Sequence, residues 1–221
     1  DPSSFPSHSI KSIHTDHYGD IWAGSIRDGL ISISQSKMAT YVDSHIGMSE
    51  GLSNSTVLCL YQETGSDCIW IGTDGGGINL YHPQTDKFTH YPMTYGDKVI
   101  SMTNFSDEEL LISIYTKGLF TFNKRTGQYK RFVIVNENIN QEVCFNGYVT
   151  WVSPVGEDKI YIIGYKGWIY HTKEQRFTPI ILPEGIQNDM SPLQTAYSNK
   201  EFTLLKKGNV IFMADTKTDS L

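Results

Sequence analysis

The chain has 221 residues with 18 basic and 24 acidic side chains, a formal charge of -6, and is 39% hydrophobic and 12% aromatic. That apolar content supports one large or two small folded cores, while the acidic balance and the lack of any lysine- or arginine-rich stripe argue against nucleic acid and anionic membranes as partners. No apolar run approaches the ~20 residues of a membrane-spanning helix, and the opening DPSSFPSH has neither the basic nor the apolar region of a secretory leader, so targeting segments, if any, are expected outside this stretch.

The first patterned segment is Ser9–Ile33, SIKSIHTDHYGDIWAGSIRDGLISI. Its HTDH, His14 to His17, has metal-ligating residue types, but a strand end sends alternate side chains to opposite faces and no fourth ligand is evident, so a surface turn is expected and no metal. The second segment, Ser55–Tyr91, reads STVLCLYQETGSDCIWIGTDGGGINLYHPQTDKFTHY. Its glycine cluster, Gly75 to Gly77, is not a phosphate loop: no helix follows, and the lysine and hydroxyl of a Walker motif are missing. The stretch predicts four short strands, Val57 to Tyr61, Ile69 to Gly72, Gly77 to Tyr81 and Phe88 to Tyr91, with a turn at His82 to Asp86. Cys59 and Cys68 sit in adjacent strands, which leaves a bridge between them open; Cys144 completes an odd count.

A third segment, KVISMTNFSDEELLISIYTKGLFTFNKRTGQYKRF, places Leu111 where the others have tryptophan and repeats the turn chemistry at Asn123 to Gly127. Val133 to Asn146 carries no strong pattern and reads as a connecting loop, as does Pro183 to Pro192. Between them, GYVTWVSPVGEDKIYIIGYKGWIYHTKEQRF supplies a fourth copy with Gly164 in the role of Gly72. A fifth, LQTAYSNKEFTLLKKGNVIFMADTKTD, is degenerate and stops before a closing strand. Trp22, Trp70, Leu111 and Ile162 stand 48, 41 and 51 residues apart. Four antiparallel strands per unit at this period, without a sustained 3.6-residue apolar rhythm, predict an all-β fold of β-propeller type. The blades are expected at approximately 9–45, 55–92, 98–132, 147–178 and 193–221 within a single propeller segment, 1–221. The tryptophan should fill space between blades, and the glycine two residues on should permit close backbone approach.

DIWAGSIRDGLISI, GLSNSTVLCLYQ and IWIGTDGGGINLYHPQTDKFTHY resemble the regulator-propeller repeats of extracytoplasmic sensor regions in hybrid two-component systems of polysaccharide-degrading gut bacteria. The resemblance implies a segment of four to five blades from a seven-bladed propeller, periplasmic, binding an oligosaccharide and signalling through a histidine kinase absent from this stretch. It implies no enzymatic activity, no cofactor and no direct membrane contact, with the remainder of the same sensor as partner and homodimerisation open. A closed five-bladed ring, with Phe5 helping to supply the outer strand, is the other architecture. DHYGDIW also resembles the aspartate box of sialidase propellers, with a spacing one residue too long.

Ligands of propellers generally meet loops at one end of the channel, and the turns between second and third strands share that end. Their residues Arg27, Asp28, Asp74, Tyr115, Lys117, Tyr165 and Lys166, with Trp168 just beyond, combine planar aromatics with charged groups, the chemistry that binds sugars. Arg27, Lys117 and Lys166 would suit an acidic sugar. A propeller lyase or glycosidase-like enzyme and a protein-binding scaffold are the rival functions, although no carboxylate pair or base histidine stands out.

Overall fold

Alternation of apolar and polar residues on each side of short glycine-bearing turns yields a chain of hairpins. In a computed structural model that describes residues 6–7, 9–34, 38–43, 50–136, 141–144, 148–156, 158–186, 189–198 and 202–215, nearly all regular structure is β. The first four strands are β1 (Ile10–Thr15), β2 (Ile21–Ser25), β3 (Leu30–Ile33) and β4 (Met38–Tyr41). The next four are β5 (Val57–Gln62), β6 (Ile69–Thr73), β7 (Ile78–His82) and β8 (Lys87–Tyr91), followed by a short 3-10 turn at Pro92–Thr94. Then come β9 (Val99–Asn104), β10 (Glu109–Ile114), β11 (Gly118–Asn123), β12 (Tyr129–Arg131), β13 (Val133–Asn136) and β14 (Gln141–Cys144). The chain continues with β15 (Val149–Val155), β16 (Lys159–Gly164), β17 (Gly167–His171), β18 (Arg176–Pro179), β19 (Gln194–Ser198), β20 (Phe202–Lys207) and β21 (Val210–Asp215).

β1–β4, β5–β8, β9–β12 and β15–β18 form four-stranded sheets in sequence order, and β19–β21 form a three-stranded one. These are the blades of a β-propeller. The innermost hairpin of the first, second, fourth and fifth blades carries the same irregularity near its start, between Ile10 and Ser12, Val57 and Cys59, Val149 and Trp151, and Thr195 and Tyr197. One extra residue there bends the inner strand. Before each closing strand of the second to fourth blades, one residue adopts a left-handed backbone: Asp86, Gly127 and Gln175.

The segment expected to be a plain loop, Val133 to Asn146, instead contains the hairpin β13–β14, Val133 opposite Cys144 and Asn136 opposite Gln141. Its β-branched residues Val133, Ile134, Val135 and Val143 favour strand, and reading four strands per unit hid the extra pair. Pro183 to Pro192 contains no strand among its described residues. Phe5 lies outside the described residues.

Two compact units partition the chain, Asp1–Met102 with Phe122–Tyr129, and Thr103–Thr121 with Lys130–Leu221. In the first, Trp22, Leu30, Leu52, Val57, Ile69, Ile71, Tyr81 and Phe88 make a core. The Trp22 ring lies 5.3 Å from that of Tyr81 and its Nε1 donates to Asp16 at 2.8 Å, while Trp70 Nε1 donates to Glu63 at 2.9 Å. The glycines that follow are space-limited: a Cβ at Gly24 would lie 2.5 Å from Val57 Cγ1, and at Gly72 2.6 Å from both Cys59 Sγ and Val99 O. In the second unit, one cluster gathers Leu111, Leu119, Phe132, Val152, Ile162 and Tyr170, and another Val155, Tyr161, Ile163, Ile169, Leu193 and Leu205.

Cys59 and Cys68 are free thiols, so no bridge joins them. Cys59 is buried with its Sγ 3.4 Å from Val99 O, and burial pushes its thiol up to about 12; Cys68 Sγ lies 3.4 Å from His82 Nδ1. Cys59 lies in β5, paired with Gly72 of β6, whereas Cys68 precedes β6. The Cys144 side chain lies outside the described residues. Among the described residues no three His, Cys, Asp or Glu side chains group as metal ligands. The HTDH histidines turn to separate partners, His14 to Gln62 at 3.3 Å and His17 to Asp67 at 3.1 Å.

Candidate functional site

Each turn between second and third strands is built by the residue that ends the second strand. In the first unit Ser25 donates both its N–H (2.9 Å) and its hydroxyl (3.0 Å) to Gly29 O, and Thr73 does the same to Gly77 O at 3.0 and 2.9 Å. Both side chains are fully buried. The loop tips then project Ile26 to Asp28 and Asp74 to Gly76. The Asp28 N–H donates to Ser25 Oγ at 2.8 Å, and Arg27, exposed at its tip, has φ 96° where the aligned Gly75 has φ 88°. Asp74 is ion-paired with Lys98 at 2.8 Å.

The linker GLSNSTV stitches these tips, a role not visible in the sequence. Ser55 O accepts from Gly29 N–H at 2.9 Å, Thr56 O from Asp74 N–H at 2.9 Å, and Ser53 Oγ donates to Gly76 O at 2.7 Å. On the other side Gly75 N–H donates to Asp97 O at 3.0 Å, and the buried Asp97 carboxylate accepts from Tyr129 OH at 2.7 Å. Burial first, then that hydrogen bond, pushes the Tyr129 phenol up to about 12.

In the second unit the turns present aromatics. Tyr115 and Tyr165 are 44% and 56% exposed, and the half-buried Tyr148 stands between them, 6.0 Å from Tyr115 edge-on and 4.9 Å from Tyr165. Sequence reasoning had missed Tyr148 because it precedes β15 and belongs to no turn; only the approach of neighbouring blades makes it part of the row. Lys117 and Lys166 occupy exposed positions in the same turns, and the carbonyl of Lys117 accepts from Arg131 Nη1 at 3.0 Å. Gly164 N–H donates to Lys166 O at 3.0 Å, closing the turn that holds Tyr165.

Trp168 belongs to β17, is half-buried, packs against the core cluster and has its ring edge-on to Phe177 at 6.5 Å. Of the eight expected residues, Tyr115 and Tyr165 thus come together through Tyr148, with Lys117 and Lys166 in their turns. Arg27, Asp28 and Asp74 form turns of the other unit. A row of phenol rings, with a lysine in each of the two turns, can stack on the apolar faces of a pyranose and hydrogen-bond its hydroxyls.

No family model matches the chain, and no curated protein matches it. Solved structures do. One is the extracellular domain assigned to the hybrid two-component system BT3049 of B. thetaiotaomicron, with TM-score 0.70 and 16% identity over 98% of this chain. Another is the extracellular domain assigned to the hybrid two-component system BT4673 of the same organism, with TM-score 0.64 and 16% identity over 96% of this chain. The chain has the β-propeller fold of these extracellular domains. It spans 30% of the length of each. An ancestral GH74 enzyme is also similar in structure, with TM-score 0.59 and 11% identity over 94% of this chain and 31% of its own. Among the described residues no helix is long and apolar enough to cross a membrane.

Proposed function

We propose that this chain is a ligand-recognising segment of a periplasmic sensor of the hybrid two-component type, that it binds an oligosaccharide, and that a histidine kinase elsewhere in the same protein receives the signal. The row Tyr115, Tyr148, Tyr165 carries the reading, because two exposed turn tyrosines joined by the half-buried ring of Tyr148, edge-on to Tyr115 and tilted against Tyr165, offer the apolar platform that sugar recognition needs. The likeness to extracellular domains of hybrid two-component systems supports it. Signalling works by population shift: the sugar favours the arrangement it binds more tightly, by no more than that affinity difference. The protein acts as a binding module rather than a glycosidase. A glycosidase would need two carboxyl groups roughly 5 to 10 Å apart across the scissile bond, whereas the turn carboxylates Asp28 and Asp74 belong to the unit without the tyrosine row, and Asp74 is held by Lys98.

Thermal melts with cellohexaose, maltohexaose and trigalacturonate test this. At a hundredfold excess over Kd one of them should add about 2.7 kcal/mol, on the order of 5 to 10 °C for a chain of this size. Tyr115→Ala and Tyr165→Ala should each weaken that sugar about tenfold or more. Unchanged affinity in both variants would place the site elsewhere, and product release from the sugar would reinstate the enzyme reading.

A further inference from the structure

The fifth blade has a turn between its second and third strands as well, at Gly208 and Asn209, with Lys207 opposite Val210. Lys207 ends β20 as Ser25 ends β2 and Thr73 ends β6, and all three are buried, Lys207 being only 3% exposed. Ser25 and Thr73 turn their hydroxyls back on their own turns. Lys207 reaches away instead. Its Nζ donates to Ser191 O at 2.7 Å and to Tyr165 O at 3.4 Å. An ammonium withdrawn from water is costly unless acceptors replace its hydration, so these two carbonyls are held to it and it to them.

One charge therefore joins the turn carrying Tyr165 to the connection that leads into β19. Leu193 N–H donating to Gly164 O at 2.8 Å runs alongside the same junction. Negative charge is close by. A Cβ on Gly208 would lie 2.4 Å from Asp189 Oδ2, so that carboxylate lies against the glycine turn, and it accepts from Ser191 N–H at 2.7 Å. Hydrogen bonds from Ser191, with a smaller contribution from Lys207, hold the Asp189 carboxyl below its ordinary value.

We propose that Lys207 is a positioning residue for the tyrosine row: its buried ammonium fixes the turn from which Tyr165 projects, and so sets the geometry of the sugar platform. The link to sugar rests on the function proposed above; the link between Lys207 and the Tyr165 turn does not. Lys207→Met keeps the length and removes the donor, leaving both carbonyls without it. Lys207→Arg keeps the charge.

Hydrogen exchange on the whole chain separates the two. In Lys207→Met the Gly164 and Leu193 amides should exchange about tenfold faster or more, while the Ser25 and Thr73 amides keep their wild-type rates, and Lys207→Arg should restore most of the protection. Unchanged exchange at Gly164 and Leu193, or equal acceleration at Ser25 and Thr73, would overturn the proposal. The second measurement titrates cellohexaose, maltohexaose and trigalacturonate. For whichever binds, Lys207→Met should weaken affinity at least fivefold, and adding it to Tyr165→Ala should change little further. Loss of affinity in Tyr165→Ala with none in Lys207→Met would overturn the link to the platform. If none of the three binds the wild-type chain, the oligosaccharide reading fails with them, and the exchange rates alone judge the positioning role.

Discussion

At single residues the fold is limited by space. Gly72 has Cys59 Sγ and Val99 O each 2.6 Å from where a Cβ would sit, closer than real contacts allow, and the backbone oxygen cannot swing aside. Gly72→Ala should therefore cost about 1 to 3 kcal/mol, the range for an overpacked core, measured as a lower urea midpoint at constant slope. The opposite is expected at Arg27. Its φ of 96° lies where side chains are strained, and the second blade places Gly75 there at 88°. Arg27→Gly should stabilise the chain by about 1 kcal/mol in the same assay, since the left-handed backbone costs roughly 1 to 3 kcal/mol for a residue with a side chain. If it stabilises less, the strain is smaller than the dihedral suggests. The tight place of Gly72 was legible from its position after a strand tryptophan; the left-handed Arg27 was not, because arginine in a turn carries no such signal.

At the level of elements, each blade hairpin in the first unit is pinned by a tryptophan whose indole N–H finds a carboxylate across the preceding turn. Trp22 reaches Asp16 and Trp70 reaches Glu63, and Glu63 is also ion-paired with Lys124 at 2.5 Å. Trp70 further packs against Tyr91 at 5.6 Å and edge-on to Phe122 at 5.9 Å. Trp70→Phe keeps an aromatic ring but removes the donor and part of the packing. A loss of about 2 kcal/mol in urea denaturation is expected, roughly half from the hydrogen bond and half from smaller apolar burial. The tryptophan positions and the strands around them could be read from the repeat, Val57 to Tyr61 against an observed Val57–Gln62. The extra hairpin β13–β14 could not, because it breaks the period that made the others visible.

Across the whole chain, several buried or half-buried phenols and a buried thiol share one pH response. Burial pushes Tyr91 up to about 12 and Cys59 up to about 12; burial followed by the Asp97 hydrogen bond does the same for Tyr129. Tyr81 is raised as well, by burial and then by its hydrogen bonds with Tyr41 and Asp86. In the unfolded chain these groups ionise near their ordinary values of 10.0 for tyrosine and 9.0 for cysteine. The folded state holds them neutral, so their contribution is fully present below pH 9 and is lost as the pH climbs through the interval up to about 12. Urea midpoints should be flat from pH 7 to 9 and fall steeply above 10, and a midpoint that stayed level to pH 12 would show these groups ionise freely when folded. Among the described residues Cys59 and Cys68 are already free thiols, so a reducing agent should not move the melt through them.

The repeat of tryptophan, glycine and turn residues was enough to specify most strand positions, blade class and where the turns between second and third strands fall, because strand periodicity and glycine turns are local properties of a few neighbouring residues. Which of those turns come together was decided only by tertiary structure. Tyr148 joins Tyr115 and Tyr165 because separate blades bring their ends into contact, and Lys207 reaches Tyr165 O across 42 residues of chain. Sequence spacing holds no information about such contacts; they exist only once buried strands have set the distance between one blade and the next.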